Sequence, residues 1–221
     1  MVNWFAKLGE VQWYTWLMVA ALIAIFALLV RREGRQARWN SRMIAYGAMS
    51  IAISFVLSYV RIWKMPQGGS VTLASALPVV AFSLGAGPIS GLLVGIAYGM
   101  LQLVQDMGYI VHPVQLLMDY PLAFGALTLG SCAVFMPIPR IMKLPVAILI
   151  GSLGRLVFHT ASGVLFFAEY AAESGQTPMI YSLIYNGTFL AADAAVCIAL
   201  SFIPGVSRIT DIIEHAQLKS A

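Results

Sequence analysis

PVAILIGSLGRLVFHTASGVLFFA, residues 145–168, decides the fold. The stretch holds 24 residues and two ionisable side chains, Arg155 and His159. As a helix it extends about 36 Å at ~1.5 Å per residue, enough for a hydrocarbon core that takes roughly 20 apolar residues to cross. A membrane barrel strand would alternate polar and apolar residues, and this stretch does not. It predicts a spanning helix.

Six further apolar blocks flank it, over 12–30, 41–60, 71–87, 88–107, 111–136 and 178–203. Of the 221 residues, 60% are hydrophobic and 10% charged, against about 25% charged in an ordinary soluble domain. A soluble enzyme, a disordered tail and a coiled coil are excluded. The expectation is an all-α integral membrane protein of seven helices. The first block ends on Arg31 and Arg32 rather than on a small-residue cleavage site, so it reads as a retained anchor. Cys132 and Cys197 both fall inside apolar blocks and read as small core residues, implying neither disulfide nor metal.

Charge sets the expected orientation. With the helices alternating direction, Arg31, Arg32, Arg35, Arg38, Arg42, Arg140, Lys143, Arg208 and Lys219 share one side, and Lys7, Arg61 and Lys64 the other. Basic residues concentrate on cytoplasmic loops. The N-terminus is therefore expected outside and the C-terminus inside. The formal net charge of +4 is an orientation signal, and nucleic acid is not an expected partner.

Small residues recur at helical spacing. Gly91, Gly95 and Gly99 form one row and Ala48 and Ala52 another. Such rows let helix backbones approach closely, either inside the bundle or against another membrane subunit.

Ionisable groups inside the membrane are the informative exceptions. Asp119 lies on the fifth block with Tyr120 beside it. Arg155, His159, Gly163 and Phe167 stand at i+4 spacing on one face of the sixth. Tyr181, Tyr185 and Asn186 lie in the outer third of the seventh. These depths converge on one outward-facing half. Asp119 and Arg155 read either as a binding pair or as a structural ion pair. Asp193, deeper, reads as one side of an interhelical hydrogen bond. Above the cluster, the loop RIWKMPQGGS (61–70) carries Pro66 and Gly68-Gly69, which favour turns. Its Trp63 reads as an interfacial anchor or as the aromatic face of a lid.

Four segments, MPQGGSVTLAS (65–75), HPVQLLMDYPLAF (112–124), GSLGRLVFHTASGVLFF (151–167) and PMIYSLIYNGTF (178–189), resemble the thiamine-specific substrate-binding subunits, or S components, of energy-coupling-factor transporters. The resemblance covers about residues 41–205. It implies a six-helix S-component bundle that takes thiamine from outside under a lid loop. The partners it implies are a membrane coupling subunit and two cytoplasmic ATPases, in a bacterial plasma membrane. Residues 1–40 are then an additional anchor with an Arg-rich linker, and 206–221 a cytoplasmic tail. By resemblance, Trp63, Asp119, Tyr120, Arg155, His159, Gly163, Phe167, Tyr181 and Asn186 contact the substrate. Ala48 and Ala52 face the coupling subunit. No cofactor is implied.

The chemistry is compatible with that reading. A thiazolium cation favours aromatic faces, here Trp63, Tyr120, Phe167 and Tyr181, and a carboxylate such as Asp119. Asn186 and His159 suit the edge of an aminopyrimidine. Gly163 leaves room for a flat ring, and Arg155 suits Asp119 or a hydroxyethyl tail. The chain has no G-x-x-x-x-G-K-[ST] phosphate loop, which fits a subunit dependent on separate ATPases. An ion-coupled vitamin carrier using Asp193, an S component for a thiamine precursor, and an intramembrane enzyme using His159 with Asp119 are the alternatives. No activated Ser, Cys or metal cluster accompanies that last pair, so the chain is not expected to be an enzyme.

Overall fold

The computed structural model describes residues 13–33 and 39–218. Lys7, Arg35, Arg38 and Lys219, part of the charge asymmetry, lie outside the described residues. The helices are α1 (Trp13–Glu33), α2 (Ser41–Ser58), α3 (Leu77–Ala86), α4 (Pro88–Gln105), the composite α5 (Pro113–Phe135), α6 (Arg140–Phe166), α7 (Ala168–Glu173), α8 (Pro178–Ser201) and α9 (Pro204–Leu218). A small antiparallel hairpin, β1 (Arg61–Lys64) and β2 (Ser70–Thr72), joins α2 to α3. Among the described residues, five helices are long and apolar enough to cross a membrane: α2, α4, α5, α6 and α8. The chain is a multi-pass, helical membrane protein.

The expected span at 71–87 is corrected. Its first residues pair as β2, Ala74 turns the chain with φ at 57°, and only Leu77–Ala86 is helical. Ten residues reach about 15 Å, half a bilayer core. This short α3 is apolar all round because other helices surround it; Val79, Val80, Ala81 and Phe82 are sealed from solvent. Apolar content marked the segment as buried without separating strand from helix.

Glycines set how closely these helices pack. A Cβ on Gly95 would lie 2.7 Å from the Phe124 carbonyl oxygen, and one on Gly91 would overlap Ser83 and Thr128. The row on α4 thus serves internal packing against α3 and α5. On α2 the arrangement is reversed. Met43, Gly47, Ser50, Ser54 and Ser58 face the bundle, while Ile44, Met49, Ile53 and Val56 face outward together with Ala48 and Ala52.

α1 rests on the bundle through Phe26 and Leu29, which pack with Ala126, Leu129 and Phe158. The Arg32 guanidinium lies 5.0 Å over the Phe135 ring. The segment expected as a tail is largely α9, which buries Ile213 and Ala216 in the core. Arg42 and Arg208 line one groove between α2 and α9, and Arg140 donates to Asp211 at 2.6 Å. The described basic residues flanking the spans, Arg61 and Lys64 apart, therefore gather at the end of the bundle remote from the hairpin.

Candidate functional site

The hairpin roofs a cavity of about 980 Å³, its open mouth included, walled by α4, α5, α6 and α8. Of the residues singled out above, Asp119, Tyr120, Arg155, His159, Gly163, Phe167, Tyr181 and Asn186 all line it. Trp63 does not. It stands on β1, 47% exposed, outside the lining.

Asp119 and Tyr120 sit in a π-helical turn, Met118–Leu122, that contains Pro121. Proline supplies no backbone N–H to the helical ladder, and the widened turn accommodates it while bringing both side chains to the cavity. π-turns inside helices are frequent at functional sites. The Asp119 carboxylate is heavily engaged. Its Oδ1 is 2.9 Å from His159 Nδ1, and its Oδ2 accepts from Gln115 Nε2 and Ser162 Oγ, both at 2.8 Å.

Arg155 donates through Nε to His159 Nε2 at 3.1 Å, and its guanidinium lies 4.0 Å over the Phe124 ring. An accepting Nε2 carries no proton, so this network assigns the proton of a neutral imidazole to Nδ1, which donates to Asp119. The expected contact between Asp119 and Arg155 is thus replaced by a relay through His159; no ion pair joins the two among the described residues. The i+4 spacing on α6 makes the relay possible, since residues one turn apart share a face.

Gly163 lines the cavity and also spaces two helices. A Cβ there would lie 2.9 Å from Ser182 Cβ and overlap Ser182 Oγ. Its bare backbone lets α8 approach α6. Asn186, 8% exposed, reinforces the contact by donating to the Ser182 carbonyl at 2.8 Å and the His159 carbonyl at 3.3 Å. Its amide oxygen accepts no hydrogen bond from the described residues, and the residue lines the cavity. Being buried in a helix, it is unsuited to the glycosylation its Asn-Gly-Thr sequence would suggest.

The hairpin tip is held down by tyrosines of α8. Tyr181 donates to Gln67 Oε1 at 3.2 Å; Tyr185 accepts from Gly69 N at 3.0 Å and donates to the Pro66 carbonyl. The two rings stack at 6.1 Å. A Cβ at Gly69 would come within 2.8 Å of both the Tyr185 hydroxyl and Phe189, so glycine is required where the tip meets α8. The hairpin root is anchored twice, by Arg61 to Asp106 at 2.8 Å and by Thr72 to Asp193 at 2.8 Å. Tyr185→Phe removes both hydroxyl bonds to the tip, and amide exchange at Gly69 is expected to speed at least about tenfold, for a loss of ~1.4 kcal/mol. Hydrogen exchange resolved to residues 65–70 reads it; unchanged protection would mean that packing alone holds the tip.

Lining residues outside the expected substrate contacts include Gln115, Ser162, Tyr185, Phe189 and Asp193. A signal for the last three was present: Tyr181, Tyr185, Phe189 and Asp193 repeat at i+4 along α8, the same stripe that marked α6. Among the described residues no cluster of His, Cys, Asp and Glu forms a metal site.

Residues 44–212 match the family described as Thiamine transporter protein (Thia_YuaJ). Over 145 residues the chain is 36% identical to the thiamine transporter ThiT of Bacillus subtilis, covering 61% of this chain and 73% of that one. Over 123 residues it is 26% identical to the thiamine transporter ThiT of Lacticaseibacillus paracasei, covering 50% of this chain and 61% of that one. The solved structure of ThiT from Listeria monocytogenes superposes with a TM-score of 0.63 at 22% identity, over 76% of this chain and 99% of that one. At that identity it speaks for the fold.

Proposed function

The chain belongs to the thiamine transporter family (Thia_YuaJ), and from that premise we propose that it captures thiamine in the hairpin-roofed cavity as the binding subunit of an ATP-driven uptake complex. The observation that carries the reading is the cavity itself: rings of Tyr120, Phe167, Tyr170 and Tyr181 line it together with carboxylates and a buried amide. Aromatic faces attract a permanent cation such as thiazolium. The Asn186 amide oxygen and the Asp119–His159–Arg155 relay supply fixed polar groups for the aminopyrimidine end. Gly163 keeps the wall between α6 and α8 tight. Trp63 takes part through movement of the hairpin, since its present position is outside the lining.

Orientation and partners belong to the same proposal. The cavity end faces outside with the N-terminus, and the basic end with Arg42, Arg140 and Arg208 faces the cytoplasm; the positive-inside tendency supports this. Energy comes from two separate ATPases through a membrane coupling subunit that docks on the outward face of α2.

Calorimetry of the purified protein against thiamine, thiamine monophosphate and the isolated aminopyrimidine tests the reading. Thiamine is expected to bind more tightly than the pyrimidine fragment, which lacks the cation. Thiamine at millimolar concentration giving no heat and no change in melting temperature would overturn it.

A further inference from the structure

Three carboxylates line the cavity, Asp106, Asp119 and Asp193, and the protein treats them differently: Asp106 is already paired with Arg61 at 2.8 Å. Asp119 already receives Gln115, Ser162 and the His159 ring, the last backed by Arg155. Asp193 uses one oxygen: Oδ1 accepts from the backbone N and the Oγ1 of Thr72, both at 2.8 Å. Its Oδ2 takes no hydrogen bond from the described residues. That oxygen is not sealed off either, because the residue keeps 5% exposure and lines the cavity.

Arg155 lines the same cavity as Asp193. Among the described residues no ion pair closes between the two; Arg155 gives its Nε to His159 and lies over Phe124. A carboxylate buried in a membrane protein without a closed partner is costly, and a cation entering the cavity relieves that cost.

We infer that Asp193, through Oδ2, is the counter-ion for the positively charged ring of the ligand, and that Asp119 is a positioning residue that orients His159. The inference rests on the reading of thiamine as ligand. It also ties charge recognition to the roof, because the same carboxylate holds Thr72 at the hairpin root.

The experiment compares thiamine with its neutral thiophene isostere, deazathiamine, by calorimetry on the full chain. Asp193→Asn keeps an oxygen for Thr72 and removes the charge. It is expected to lower the thiamine-to-deazathiamine affinity ratio by about tenfold or more, whereas Asp119→Asn should weaken both ligands in similar proportion. If the Asn variant fails to fold, as judged by melting, Asp193→Ser supplies the same ratio. A ratio unchanged at position 193, or one that falls only at position 119, overturns the inference while wild-type thiamine binding leaves the transporter reading standing. A wild type that binds neither ligand sinks that reading and this one with it.

Discussion

Replacing Gly163 by valine is expected to lower thiamine affinity by about a hundredfold or more, equivalent to ~2.7 kcal/mol. The valine Cβ alone would lie 2.9 Å from Ser182 Cβ, so α8 must step away from α6. Overpacking of this kind costs typically ~1–3 kcal/mol in stability. The binding loss arises separately, because Tyr181, Tyr185, Asn186 and Asp193 all ride on α8. Gly163→Ala should give an intermediate loss. Isothermal titration alongside a melting curve separates the two effects. A valine variant that melts lower yet binds as wild type would mean that the wall tolerates the displacement.

The second large effect concerns uptake rather than binding. Ala48 and Ala52 lie one turn apart on the outward face of α2, while the face turned to the bundle carries Gly47, Ser50 and Ser54. Close approach of a partner helix depends on small side chains. The double substitution Ala48→Trp and Ala52→Trp should abolish ATP-dependent thiamine uptake by the reconstituted complex. Binding by the isolated protein should stay within about twofold, a difference of ~0.4 kcal/mol, since neither residue lines the cavity. Normal uptake by the double variant would remove α2 from the proposed interface. Parallel loss of binding and uptake would place these alanines in the bundle's own packing.

How far the molecule was legible in its sequence depended on what each pattern encodes. Long apolar runs with isolated charges located α4, α6 and α8 well, because spanning a bilayer imposes a length. Residues 71–76 escape that criterion, since a buried strand edge and a buried helix turn are equally apolar. It also left α9 unseen, because a helix of alternating Ile and charge beyond the last span resembles a soluble tail until Ile213 is found buried. For the site, residue types and depth brought eight of the nine proposed substrate contacts to one cavity. What they could not supply was pairing. That His159 reaches Asp119 on α5, and that Gly163 spaces α6 from α8, are facts about neighbours on different helices. Trp63 stands outside the lining on an edge where Ile62, Trp63 and Lys64 are all exposed, a placement that a loop sequence does not encode.

α2 carries a consequence for handling the molecule. Its polar stripe points inward and its aliphatic stripe outward, the inverse of a helix on a water-soluble globule. Rotating it by the rule that oil goes inside would seat Ile53 and Val56 where Ser54 and Ser58 belong. The inversion also separates two tasks that share one surface in soluble folds. Contacts that hold the bundle are made by Met43, Gly47, Ser50, Ser54 and Ser58, so solvent compatibility can be rewritten on this helix at Ile44, Met49, Ile53 and Val56 without touching them. A redesign for detergent-free work would begin on that stripe.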